Sequence, residues 1–459
     1  MTAAERLAGF ATDLRFDEIP TDVVDKAKQH LLDTLGCGLA AHSLGEATAP
    51  RDALLDVYGG GPATVIGAAQ GLPAPAAACA NGALFHALEF DDTHPAAIVN
   101  VGAFVTPAAL AVAETTGASG RELLTALVIG SETVVRLGLA AAPSFLASGF
   151  HPASVCGVFG ATLAATRLLS LDERSTAHAL GIAGSMASGL YESLLDGSTT
   201  KSIHAGWAAQ SGVLAALFAR AGADGPTTVF EGRFGVFRSH FGMPGDVLAE
   251  RLSQLGSEWE TKGLAIRPYP VCYMSQSPLD AVGDLIRRGD FDWREIHEVR
   301  VSLPQAGVPI VLEPREAKLA PRSPYDARFS LPFVVAAMLV RGQVDLDTFS
   351  ADALGDADVL DLARRVVHAP RDFPTFPAVY PAAVEIAFDN GELLAADVPA
   401  QRGSRENPMP IEDVTEKFRT NASRALARSA VDAVEEIVGT IETARDLQPL
   451  RASLGSLSS

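Results

Sequence analysis

Apolar residues recur at helical spacing over most of the first 260 positions. In 21–41 they fall at Val24, Ala27, Leu31, Leu32, Leu35 and Leu39, behind a Pro20-Thr21-Asp22 start that suits a helix N-terminus. The spans 106–115, 121–139, 154–169, 173–189 and 201–221 keep the same period, and Gly222 to Pro226 ends the last. Alanine and glycine dominate their faces, which predicts closely packed helices in an all-α domain. Near Leu264 the period changes to two. His297 to Leu303 alternates polar and apolar residues, and 382–388 repeats this with Val384, Ile386 and Phe388 on one face. Asp389-Asn390-Gly391-Glu392 then predicts a hairpin turn into a strand over 393–398. Helical stretches at 330–341 and 358–368 lie among these strands, and 411–425 and 429–447 return to helical period. The fold class expected is mainly α. A large all-helical domain is built from both chain ends, 1–264 and 401–459, with a smaller α+β domain inserted at 265–400. The Ser/Gly-rich tail, 452–459, is expected to fray.

Composition narrows the function classes. With 36 basic and 55 acidic residues the net charge is −19, and no dense Lys/Arg run stands against it, so nucleic-acid binding is not expected. There is no leader-like N-terminus and no unbroken run of eighteen apolar residues, so a cytoplasmic protein with no membrane partner is expected. Cys37, Cys79, Cys156 and Cys272 show no C-x-x-C spacing, which argues against a zinc site or a disulfide framework. Phosphate-binding glycine motifs, H-E-x-x-H and G-x-S-x-G are all absent, and Gly59-Gly60-Gly61-Pro62 reads as a turn.

Four stretches are polar where their surroundings are not. In Asn81 to Pro95 two histidines, three carboxylates and a threonine sit among apolar residues. On a helix Phe85, Leu88 and Asp92 would share one stripe, and His86, Glu89 and Thr93 another, with His94-Pro95 as the stop. This is either an ordinary helix end with acids in water or a buried polar cluster that must be paired or used. Gly149-Phe150-His151-Pro152-Ala153-Ser154 puts a histidine at a helix start, facing a bound anion or bonded to a neighbouring carbonyl. The hydroxyl-rich loop from Asp196 delivers Lys201 to an Ala-rich helix with His204 one turn on. That lysine is a solvated charge, an anion ligand or a base. Ile266 to Cys272 holds Arg267 and Tyr269 between prolines, as a carboxylate ligand pair or a rigid linker with an exposed arginine.

Together with Ala179 to Gly189, Gly225-Pro226, Phe230-Glu231-Gly232 and Ala327 to Phe333, these stretches resemble the MmgE/PrpD family, in order over most of the chain. That family includes 2-methylcitrate dehydratase, cis-aconitate decarboxylase and iminodisuccinate epimerase. The resemblance implies a helical domain with an α+β lid, a homodimer, no metal and no cofactor. It implies a small di- or tricarboxylic acid as partner and abstraction of a proton alpha to a carboxylate. Asp91, Asp92 and Thr93 match the family's D-F-D-D-T run, in which Glu89 replaces the first aspartate. His151 and Lys201 match its histidine and lysine. Three positions depart from the pattern. Asn100 falls where a second histidine is usual, with His94 nearby; Cys272 replaces a histidine and Phe333 a tyrosine.

On this reading His151 is the main acid/base, and Lys201 and Arg267 take the substrate carboxylates. Asp91 and Thr93 orient the substrate or hold a water, and Glu89, His94, Asn100, Tyr269 and Cys272 complete the binding set. A hydro-lyase is expected. An epimerase, a decarboxylase and a non-catalytic anion-binding relative are the alternatives.

Overall fold

The computed structural model describes residues 1–144, 148–193, 197–289 and 291–455. Asp196, which opens the hydroxyl-rich loop, and residues 456–459 of the tail lie outside them. The chain divides into two compact units, Met1–Ile266 with Pro410–Ser459, and Arg267–Met409.

The first unit is a helical bundle. Its long helices are α1 (Ala3–Asp13), α2 (Thr21–Ser43), α3 (Thr48–Tyr58), α4 (Ala74–His86), α5 (Gly102–Thr116), α6 (Gly120–Ala141), α7 (Pro152–Leu168), α8 (Glu173–Gly184) and α9 (Thr200–Arg220). A Thr2–Glu5 capping box starts α1 and a Ser119–Glu122 box starts α6. In α4, residues 76–86 are all buried, so the helix is apolar on every side and carries no amphipathic stripe. Helix α6 is long and apolar enough to cross a membrane, yet it is the core helix of this unit, 94% buried over its most apolar window. Its two buried charges, Glu132 and Arg136, pair at 3.1 Å one turn apart. They also bond the Thr261 backbone N–H and the Arg251 and Glu258 carbonyls, so neither is buried alone.

In the second unit α10 (Gln276–Arg288), α11 (Leu331–Arg341) and α12 (Ala357–Arg364) accompany a four-stranded sheet. Its order is β2-β1-β3-β4, from β1 (Ile296–Ser302), β2 (Val366–His368), β3 (Ala382–Phe388) and β4 (Leu393–Val398). β1 pairs β2 in parallel and β3 antiparallel, and β3 and β4 form the hairpin across Asn390-Gly391, where Gly391 has φ 87°. The helix expected over 358–368 stops at Arg364. Residues 366–368 instead pair with β1, because Val366 is fully buried against Val299 and completes the sheet edge.

Helices α13 (Ile411–Ala422), α14 (Arg428–Gly439) and α15 (Gln448–Leu454) rejoin the first unit. The run expected over 429–447 breaks at Gly439, which yields to a short 3-10 turn at Ile441–Thr443. All four cysteines are buried and none is in a disulfide.

Candidate active site

Glycines let α4 and α9 approach closely. A Cβ on Gly82 would lie 2.9 Å from the Gly206 Cα, and one on Gly206 would lie 2.2 Å from the Cys79 carbonyl oxygen. This crossing brings His86, the last residue of α4, toward the start of α9 with Lys201 and His204. The helix does not continue to Thr93, so the two side-chain stripes expected there do not form. It ends at His86, and Glu89 turns the chain with a left-handed backbone, φ 52°. The turn is what satisfies the buried acids. Asp91 points back to His86, Oδ2 to Nδ1 at 2.8 Å. Asp92 points the other way, accepting the Val101 and Gly102 N–H groups at 2.9 Å each and meeting His30 Nδ1 at 3.0 Å. Burial alone would raise the Asp92 carboxyl, but His30 and these two N–H donors hold it below the usual carboxylate range.

His151 stands at the N-cap of α7 with its backbone N–H on the Gly189 carbonyl at 2.8 Å. Its ring stacks on His86 at 5.5 Å between centroids, tilts against Tyr191 at 5.0 Å and meets the edge of Phe104 at 5.8 Å. Its Nδ1 is 3.2 Å from His204 Nδ1. Lys201, three residues before His204 on the same helical face, forms an ion pair with Glu89. The alternatives of a water-exposed helix end and a solvated lysine are therefore set aside, since Glu89, Asp91 and Lys201 are 3%, 0% and 6% exposed.

The electrostatics make this a neutral imidazole pair. Burial, then the nearby Lys201 charge, hold His151 well below the ordinary histidine value, and burial with His86 and Lys201 pushes His204 down to about 4. Two neutral imidazoles sharing a hydrogen bond through Nδ1 must be complementary tautomers, one donating and one accepting. Their Nε2 atoms then have opposite character: one is a bare base, the other carries a proton. A single pair thus offers an acid and a base together.

The other expected residues divide between three places. Asn100 donates to the Asp92 carbonyl at 2.6 Å and to Thr93 Oγ1 at 3.2 Å, so it braces the loop that carries Thr93. Thr93 exchanges two backbone hydrogen bonds with Ala265. His94 is turned toward the segment 260–263, its Nδ1 accepting the Ala97 N–H at 3.2 Å and its Nε2 lying 3.9 Å from Glu260. A Cβ on Gly263 would lie 2.4 Å from that Nε2. Arg267, Tyr269 and Cys272 open the second unit. Arg267 is 3% exposed, which corrects the reading of an exposed linker arginine, and it lies over the Tyr273 ring at 5.9 Å. Burial, with Asp280 beside it, pushes the Tyr269 phenol up. The Cys272 N–H bonds the Arg328 carbonyl at 2.9 Å, and Phe333 is fully buried in α11. Among the described residues no group of three or more His, Cys, Asp and Glu side chains is placed to hold a metal ion. His86 and His204 are the cluster members absent from the expected set. His204 carried a signal, its three-residue spacing from Lys201.

Comparison with known sequences agrees with the order of these segments. The MmgE/PrpD N-terminal domain profile matches residues 5–246 and the MmgE/PrpD C-terminal domain profile matches residues 269–443. The chain belongs to the MmgE/PrpD family. Within that family it is 30% identical over 464 residues to the cis-aconitate decarboxylase-like protein oryM of Aspergillus oryzae, covering 97% of this chain and 96% of that protein. It is 30% identical to the cis-aconitate decarboxylase of Aspergillus terreus, covering 96% and 93%, and 27% identical to the mouse enzyme of the same name, covering 97% and 91%. This MmgE/PrpD chain therefore aligns with these relatives over nearly their whole length.

Proposed function

We propose that this MmgE/PrpD protein is a lyase that removes a proton alpha to a carboxylate of a small di- or tricarboxylic acid and expels a β-hydroxyl as water. The observation that carries this reading is the His151–His204 pair, buried, neutral and joined at 3.2 Å. Dehydration needs two proton transfers, one from carbon and one to the leaving oxygen, and the pair can supply both.

In this mechanism His151 Nε2 takes the Cα proton and the C–H electrons form the double bond. The C–O bond breaks, and the hydroxyl leaves with the proton of His204 Nε2. The His151 Nδ1 proton then crosses the shared hydrogen bond to His204, so neither ring keeps a charge. Lys201 neutralises charge that develops on the substrate carboxylate. Asp91 fixes the His86 ring that stacks on His151, and Asn100 braces Thr93.

Decarboxylation is the second reading, supported by the printed names of the relatives at 27–30% identity. It needs CO₂ to depart and one proton to reach carbon, so it calls on the acid partner alone. A panel of hydroxylated tricarboxylates and cis-aconitate, followed for alkene formation and for CO₂, separates the two. Water loss without CO₂ supports the dehydratase. CO₂ release from cis-aconitate alone assigns the decarboxylase instead.

A further inference from the structure

Behind the loop that carries Asp91, helix α2 presents a row of polar side chains that the proposed mechanism does not use. Lys26, His30 and Asp33 recur at four- and three-residue spacing and so share one face of the helix. His30 and Asp33 are buried, and Lys417 of α13 closes the row on Asp33 at 2.6 Å. Asp92 meets it from the other side, its Oδ2 3.0 Å from His30 Nδ1. Asp92 has no room to turn toward α5 instead. Its Oδ1 already accepts the Val101 and Gly102 N–H groups, and a Cβ on Gly102 would lie 2.4 Å from Thr34 Oγ1 and 3.1 Å from Asp92 Oδ2. A carboxylate this deeply buried that loses a partner bears its full desolvation cost, so it must rotate or take up a proton. The residues on either side of it face the site. Asp91, with its Cα one peptide away at about 3.8 Å, holds the His86 ring that stacks on His151. Thr93 is braced by the same Asn100 amide that bonds the Asp92 carbonyl.

We propose that His30 is a positioning residue for the proton transfers, acting through Asp92, Asp91 and His86 on the ring of His151. This rests on the reading that His151 and His204 perform the chemistry. The group required at position 30 is a donor at the place of Nδ1. The side-chain amide nitrogen of asparagine reproduces that donor, and leucine fills the space without it. A displaced Asp91 misaligns the base after substrate is bound, so the effect belongs to kcat rather than to KM.

The test compares His30→Leu with His30→Asn in two measurements. One is steady-state kinetics on a panel of hydroxylated tricarboxylates and cis-aconitate. The other is the far-downfield proton resonance of the imidazole–carboxylate bond between His86 and Asp91, which needs no substrate. In His30→Leu kcat should fall by up to about 10²-fold at nearly constant KM, the scale that a small misplacement costs, and the His86 proton should shift or vanish. In His30→Asn both should return toward the unaltered protein. If the leucine form fails to fold, His30→Gln replaces it, because its amide reaches past the place of Nδ1. A lower melting temperature with kcat and resonance intact would make His30 a structural residue only and overturn the assignment. Equal losses in His30→Leu and His30→Asn would overturn it too. A resonance that moves while kcat holds overturns the reading beneath it, that the His86 stack supports His151. No turnover by the unaltered protein contradicts the lyase reading, and the resonance alone then decides whether His30 holds Asp91 in place.

Discussion

At the scale of single residues, burial keeps the two imidazoles of His151 and His204 neutral. His204 is pushed down to about 4, against an ordinary value of 6.5. In the proposed lyase mechanism the neutral pair is the active form, so the acidic limb of kcat/KM should fall below the usual histidine range, with activity level from pH 8 to about 6. An acidic limb centred at or above 6.5 would contradict this. The same shift links to stability. Between about 4 and 6.5 the unfolded chain binds a proton at His204 that the folded chain does not, so stability falls as pH falls through that window. His204→Asn should flatten the dependence of the melting temperature on pH there; an unchanged slope would count against a buried, neutral His204. His151→Gln should cost roughly 10²–10⁴-fold in kcat, the usual worth of a placed acid or base. Activity retained within about tenfold would remove His151 from that role.

At the scale of elements, glycine sets the geometry. The Gly82–Gly206 approach leaves no room for a methyl group, with 2.2 Å from a Gly206 Cβ to the Cys79 carbonyl oxygen. Gly206→Ala should destabilise the protein by about 1–3 kcal/mol, as overpacking does. It should also lower kcat by displacing α4 with His86, measured by denaturant unfolding beside steady-state kinetics. Stability and kcat both unaltered would mean the crossing is looser than described. Much of this level was legible in the sequence. The period of α2 and α6, the hairpin at Asn390-Gly391 and the strand Ala382–Phe388 each announce themselves by local pattern. Helix α4 did not, because a helix buried on all sides has no polar face to mark its period. The turn after His86 was equally hidden. The sequence pattern allows the helix to run on to Thr93, and only the pairing of Asp92 with His30 and of Glu89 with Lys201, far along the chain, makes a left-handed Glu89 worth its strain. Lys201, His151 and Asp91 were readable as polar residues in apolar company. The partnership of His204 with His151 was not, being a contact across 53 positions.

At the scale of the whole molecule, the returning C-terminal segment supports the site from behind. Lys417 on α13 meets Asp33 of α2 at 2.6 Å, donates to the Phe90 carbonyl at 2.8 Å and lies 3.8 Å from the centre of the Phe90 ring. Burial holds the Asp33 carboxyl above its usual range even with Lys417 beside it. Lys417→Met would leave that carboxyl buried without its cation, at a cost of about 3–5 kcal/mol. Adding Asp33→Asn should restore much of the loss in denaturant unfolding, and a double variant no more stable than the single would show the pair is not coupled. The residue next to Asp91 would lose an anchor, so kcat should fall with stability.

The most direct test of the central claim is proton NMR in D₂O with a hydroxylated tricarboxylate as substrate. The paired imidazoles predict deuterium entering the carbon alpha to a carboxylate, together with loss of water. In His204→Asn they predict exchange that persists while water loss collapses, because the base survives and the acid does not. Water loss without any exchange-competent His151, or exchange and elimination falling equally in His204→Asn, would contradict the division of labour between the two rings.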